Sequence, residues 1–150
     1  MLSRVLVARG EAVRGTTRDP TRASEIEAAG AEVVLADPDR VATLVGALEH
    51  VTVACVLLGS AAGSAEQLAA LHSTRLEMLL TKIVDTTIRG VVYEAYGSVD
   101  PAVLTGGAER VRAFGERSLA GWSLLKADPA DHAGWLTAAV AAVDEVLARG

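Results

Sequence analysis

Four stretches of this sequence end an apolar run in residues able to do chemistry. Thr17 and Arg18 follow Ala12–Thr16, Asp37 follows Ala31–Ala36, Leu58-Gly59-Ser60 closes Val51–Leu58, and Tyr93-Glu94-Ala95-Tyr96-Gly97-Ser98 is the richest polar cluster. A guanidinium is planar and permanently charged, which suits Arg18 to a phosphate monoester such as the 2′-phosphate of an adenosine. A solvated turn residue is the plain alternative. The Asp37 carboxylate could accept from an adenine amino group, cap a helix ahead of Pro38, or do both. Gly59 and Ser60 offer backbone N–H groups to a ribose or phosphate without side-chain obstruction; an ordinary connection into a helix has the same composition. Tyr96 or Ser98 could donate a proton to a carbonyl, with Glu94 as an acid or base. A strand-end tyrosine can equally be a packed ring.

The other reactive side chains are scattered. His50 ends a helical segment, His72 lies on the apolar stripe of a long one, and His132 opens the last. No pair has metal-ligand spacing, so no metal site is expected. The single cysteine, Cys55, sits inside an apolar run; an internal disulfide is impossible, and a reducing, cytoplasmic setting is the default. Trp122 and Trp135 read as core or interface anchors.

The elements that would position these residues alternate along the chain. Leu2–Gly10 reads as the last turns of a glycine-stopped helix, with Leu2, Val5 and Leu6 on one face. Strands are predicted at Ala12–Thr16, Ala31–Ala36, Val51–Leu58, Gly90–Glu94 and Trp122–Lys126. The continuous run Val51–Leu58 suggests burial on both faces. Helices are predicted at Ser24–Ala29, Asp39–Leu48, Ala65–Asp85, Glu109–Ser118 and Asp131–Arg149, with Gly97–Gly107 as a turn-rich connection. In the longest helix Leu68, His72, Leu76, Leu79 and Ile83 fall along one stripe. Such alternation argues for a parallel sheet with helices on both faces. All four prolines follow aspartate, at Asp19, Asp37, Asp100 and Asp128. Aspartate at an N-cap and proline in the first turn is a helix-start device, although Asp-Pro also begins plain turns.

Composition narrows the classes. With 150 residues, 51% of them hydrophobic and 22% charged, the chain fits one folded domain over 1–150. Only 3% is aromatic, which suits alanine-faced helices packed closely on Val/Leu strands. The net charge of −5 is interspersed, without the basic stripe that a nucleic-acid surface needs. No signal-peptide core or bilayer-length apolar run occurs, so no membrane partner is expected.

Val13-Arg14-Gly15-Thr16-Thr17-Arg18-Asp19-Pro20, followed by Ala29-Gly30-Ala31-Glu32-Val33-Val34-Leu35-Ala36-Asp37, resembles atypical and extended members of the short-chain dehydrogenase/reductase superfamily. It is similar in particular to NAD(P)-binding proteins of the epimerase/dehydratase and NmrA-like type. Val41–Leu48, Val51–Gly63 and Arg89–Tyr93 keep that order of elements. The resemblance implies a Rossmann-like three-layer α/β sandwich with a mostly parallel sheet. It implies an NADP (or NAD) cofactor, with Thr17 and Arg18 at the 2′-phosphate, Asp37 at the adenine, and Leu58, Gly59 and Ser60 beside the cofactor.

Two family features are missing from the sequence. The family opens with a strand and a Gly-x-x-Gly-x-x-Gly turn that holds the pyrophosphate; neither occurs, and Met1–Gly10 reads as the end of the helix that should follow them. The family's Tyr-x-x-x-Lys is also absent, since the two lysines, Lys82 and Lys126, do not fit that spacing from Tyr93 or Tyr96. The absent first strand would leave two sheet edges. Direct pairing of Ala12–Thr16 with Val51–Leu58, a partner chain in a homodimer, or coding sequence upstream of Met1 would each resolve this. The expectation is a compacted sheet with weak or no dinucleotide affinity, in an NADP-preferring and catalytically incomplete relative of these reductases. The competing reading is a non-enzymatic nucleotide-sensing or interaction module that self-associates through its sheet edge or long helix. A third is a reductase with Tyr96 as proton donor.

Overall fold

Parallel neighbours need a crossover between them, so strands this short must alternate with helices. A computed structural model describes residues 1–149, and every strand pair in it is parallel. The chain divides into two units, Met1–Ala47 and Leu48–Gly150.

The first unit begins with α1 (Leu2–Ala8), whose Leu2 and Leu6 are buried; Gly10, at φ +91°, ends it in the left-handed region that a side chain would resist. Strand β1 (Arg14–Thr17) pairs with β2 (Glu32–Leu35), Arg14 opposite Glu32 and Thr17 opposite Leu35. Helix α2 (Ala23–Ala28) makes the crossover. A β-carbon on Gly15 would strike Ile26 of α2, so glycine permits this close approach. Arg14 ties the edge down, with Nε 3.1 Å from Glu32 Oε2 and Nη1 donating to the Ala47 carbonyl at 2.8 Å. The helix predicted over Asp39–Leu48 is instead a run of 3-10 turns at Val41–Leu48. Thr43 starts it by donating to the Arg40 and Asp37 carbonyls, which competes with α-helical pairing.

The second unit holds β3 (Val53–Val56), β4 (Gly90–Glu94) and β5 (Gly121–Leu125) in the order β3-β4-β5. The crossovers are α3 (Ala65–Leu71) with α4 (Thr74–Ile83), then α5 (Pro101–Ser118). Helix α6 (His132–Arg149) closes the chain. Side chains of β4 alternate between two helical layers. Val91 and Tyr93 join Leu76, Leu80 and Ile83 of α4 and Val111 and Phe114 of α5 in the main core. On the other face Gly90 meets Val146, and Glu94 meets Trp135, both on α6. This unit is therefore a three-layer sandwich about a parallel sheet.

Several sequence expectations change here. Among the described residues β1 pairs with β2, and β3 with β4, so the strand pairs do not include the expected direct pairing of Ala12–Thr16 with Val51–Leu58 or the expected compacted sheet. Val51–Leu58 is not buried on both faces: Val56 of β3 is buried while Cys55 is exposed. The long helix over 65–85 is broken at His72 and Ser73. There Ser73 and Thr74 hydroxyls donate back to the Ala69 and Ala70 carbonyls, and Ser73 departs from helical geometry. Conversely, helix α5 starts at Pro101, through a region predicted as turns because Gly106 and Gly107 disfavour helix. Gly107 sits against the Tyr93 ring, so tertiary packing overrides propensity.

The four Asp-Pro pairs share one local device. Asp19, Asp37, Asp100 and Asp128 each accept the backbone N–H two residues on, at 2.9 Å. At Asp19 and Asp100 this caps a helical turn with proline in its first turn. At Asp37 and Asp128 it makes a turn ahead of the next element instead.

Candidate functional site

The predicted site residues fall into two clusters, one in each unit. In the first, Arg18 leaves the end of β1 with its side chain 58% exposed. Its Nη1 lies 4.0 Å from Asp37 Oδ1 and 3.7 Å from Asp39 Oδ2. These are loose ion pairs in water, which cost little to exchange for another anion. Thr17 Oγ1 accepts from the Asp19 N–H at 3.1 Å and so shapes the turn that carries Arg18. Asp37 Oδ1 accepts from the Asp39 N–H. Thr17, Arg18 and Asp37 are thus adjacent, and Asp39 is a carboxylate of this cluster that sequence reading passed over. Its signal was the second acid of Asp37-Pro38-Asp39.

In the second unit the loops after β3 and β4 are knitted together. Gly59 N–H donates to Glu94 Oε1 at 2.8 Å, and the Gly59 carbonyl accepts from Val99 N–H at 3.0 Å. Ser60 Oγ accepts from Ser98 N–H at 3.2 Å. A β-carbon on Gly59 would meet the Tyr96 carbonyl and the Glu94 side chain, and one on Gly97 would meet Gly59 and Ser60. Both glycines are needed for the backbones to approach. Tyr96 itself is 48% exposed.

Glu94 is buried, and its second oxygen accepts from Trp135 Nε1 at 2.8 Å. A buried carboxylate without partners would be costly; here both oxygens have a donor. The Gly59 amide, suggested by sequence as a donor to a ligand, is therefore already engaged by the protein.

Behind this loop lies a pair that sequence reading missed. His72, at the break between α3 and α4, is almost wholly buried, as is Tyr93. His72 Nδ1 lies 2.6 Å from Tyr93 Oη, and Nε2 lies 3.0 Å from the Leu58 carbonyl. The rings meet edge to face at 83°. A carbonyl can only accept, so Nε2 carries the hydrogen; a neutral ring then accepts at Nδ1 and the Tyr93 hydroxyl donates. Burial favours the neutral form of both groups. It lowers the His72 pKa against the opposing influence of the Leu58 carbonyl and Glu94, and it raises that of Tyr93 well above the phenol range. The available signal was a histidine on an apolar stripe facing a tyrosine within a run of buried residues.

His50 and His132 are exposed, and His50 ends its segment at φ 61°. Among the described residues no group of three or more His, Cys, Asp or Glu side chains could hold a metal ion. No helix among them is long and apolar enough to cross a membrane.

No family model matches the sequence, and no curated protein matches it. Solved structures do. The triphenylmethane reductase of Citrobacter sp., complexed with NADP(H), has a TM-score of 0.62 at 16% identity over 83% of this chain and 44% of its own. A second structure of Citrobacter sp. triphenylmethane reductase, described in work on the bioremediation of triphenylmethane dyes, gives 0.61 at 16% identity, with 83% and 44% covered. The structure of gox2253 gives 0.63 at 18% identity, with 80% and 45% covered. The chain spans less than half the length of each of these proteins. At such identity the likeness shows the fold: this is a Rossmann-like α/β protein with parallel strands.

Proposed function

We propose that the chain binds a nicotinamide dinucleotide, with NADP preferred to NAD, as a distant relative of the atypical short-chain reductases. The observation that carries this reading is the exposed Arg18 guanidinium at the end of β1, within a fold shared with a reductase complexed with NADP(H). Arg18 would hold the 2′-phosphate, exchanging its two loose carboxylate partners for a stronger, charge-assisted contact. Thr17 would keep the Arg18 turn in shape. Asp37 Oδ1 is engaged by Asp39, so Oδ2 is the atom that would meet the adenine amino group. Leu58, Gly59 and Ser60 would lie beside the cofactor, with the Gly59 N–H held by Glu94 rather than offered to the ligand. When bound, the nicotinamide supplies hydride chemistry, and Tyr96 is the candidate proton donor toward a carbonyl.

Titration of the chain with NADPH and NADH tests the reading. NADPH is expected to bind more tightly, and Arg18→Glu to weaken NADPH by about tenfold to a hundredfold while sparing NADH. Binding of neither dinucleotide would refute the proposal. Equal NADPH affinity in Arg18→Glu would remove the phosphate assignment, and carbonyl turnover that survives Tyr96→Phe would remove Tyr96 as donor.

A second reading, self-association without catalysis, is favoured by the exposed Met78 and Val84 on and just after α4. Sedimentation of the chain at rising concentration decides it.

A further inference from the structure

We propose that His72 is a positioning residue: its buried imidazole, braced by the Tyr93 hydroxyl, latches the Leu58 carbonyl and so sets the Leu58–Ser60 turn for a bound dinucleotide. The part played by the ligand rests on the proposed function above; the latch itself does not.

The argument starts from the backbone of that turn. The Leu58 carbonyl faces His72 Nε2 at 3.0 Å, the Gly59 N–H faces Glu94 at 2.8 Å, and the Gly59 carbonyl faces Val99 N–H at 3.0 Å. Consecutive backbone groups are therefore held from three directions, by the α3–α4 break, by β4 and by the start of α5. Two of the three are side chains, which the sequence can vary without rebuilding the sheet.

Within this arrangement His72 has a task that an apolar residue could not perform. A leucine at this place would continue the apolar stripe but would leave the Leu58 carbonyl without this donor. Tyr93 supplies the complementary constraint. By donating to Nδ1 at 2.6 Å, it selects the tautomer whose hydrogen sits on Nε2 and points at Leu58. Gly107 is the third part, since a β-carbon there would collide with the Tyr93 hydroxyl. The helix break follows from the same geometry. Ending α3 at Leu71 lets His72 serve as its C-cap while its ring reaches the end of β3.

Two amide variants separate the roles of the ring nitrogens. The Gln amide nitrogen reaches about as far as Nε2, so His72→Gln keeps a donor for Leu58. The shorter Asn side chain reaches only as far as Nδ1, so His72→Asn keeps contact with Tyr93 alone. Hydrogen exchange of the amides over 58–61 and 97–99 should stay near wild type in His72→Gln and rise about tenfold in His72→Asn. NADPH affinity should follow the same order, near wild type in His72→Gln and about tenfold weaker in His72→Asn. Equal effects in the two variants, or effects that track their melting temperatures rather than the donor, would overturn the latch. The histidine tautomer of the wild-type chain, read from long-range nitrogen–proton NMR, needs no variant to fold: Nε2–H supports the proposal and Nδ1–H refutes it. A wild-type chain that binds neither NADPH nor NADH would refute the proposed function and the ligand's part of this inference. Exchange and tautomer would decide the latch independently.

Discussion

The Tyr93 hydroxyl lies 2.6 Å from His72 Nδ1, joining the centre of a parallel sheet to the break between two helices. Both side chains are buried, so neither has water as a substitute partner. Tyr93→Phe should therefore destabilise the chain by about 1–3 kcal/mol, because it leaves Nδ1 without a donor. His72→Phe with Tyr93→Phe should cost less than the sum of the single changes. Urea unfolding of the three variants, analysed as a double-mutant cycle, checks both statements.

Stability should also depend on pH through His72. Its native pKa is lowered from the ordinary 6.5, first by burial, with Leu58 and Glu94 acting in the opposite direction. The unfolded chain therefore takes up this proton first. The contribution is complete above about pH 6.5 and is lost as pH falls from there through the lowered native value, at up to about 1.4 kcal/mol per unit. Tyr93 on β4 contacts the ring and Glu94 on β4 acts on it, while Arg110 on α5 acts on Tyr93. Denaturation midpoints from pH 7.5 to 5 should fall more steeply in wild type than in His72→Gln.

Glu94 accepts from Gly59 and from Trp135, one donor per oxygen. Glu94→Gln turns one of those oxygens into an NH2 group that faces a donor. A loss of about 1–3 kcal/mol is expected, together with a change in tryptophan fluorescence as Trp135 loses its place. A variant as stable as wild type would show that the carboxylate is not needed to join the two.

At Gly107 two effects compete. Alanine is the better helix former by about 1 kcal/mol, but its β-carbon would overlap the Tyr93 hydroxyl and ring. Overpacking typically costs about 1–3 kcal/mol. The ring is wholly buried and held by His72, so the second effect should win. Gly107→Ala should lower the melting temperature, and Gly107→Ala with Tyr93→Phe should be less than additive.

The α/β alternation, the parallel pairing and the Asp-Pro caps at Asp19 and Asp100 could be read from the sequence, because each depends on local chemistry or on the period of the apolar residues. Thr17, Arg18 and Asp37 came from the rule that ligands meet the carboxyl ends of strands, and the structure brings them together. What could not be read is tertiary. The length of α5 was hidden by Gly106 and Gly107, which are tolerated because Tyr93 needs the space. The break at His72 was hidden because that histidine keeps the stripe's period while its polar atoms answer to Leu58 and Tyr93, both distant in sequence. The exposure of Cys55 depends on which parts of each sheet face the helices cover, and composition does not specify that.

The alternation along β4 has a consequence for folding fidelity. Tyr93 sends a hydroxyl into one helical layer and Glu94 a carboxylate into the other, and each finds one matching set of partners. A slip of β4 by one residue would exchange the two faces, burying the carboxylate among Leu76, Leu80 and Val111. Valines could trade places across a sheet at modest cost, but an unpartnered carboxylate in that layer would be expelled. The polar pair at the end of β4 thus acts as a proofreading mark, rejecting misaligned sheets that apolar packing alone would tolerate.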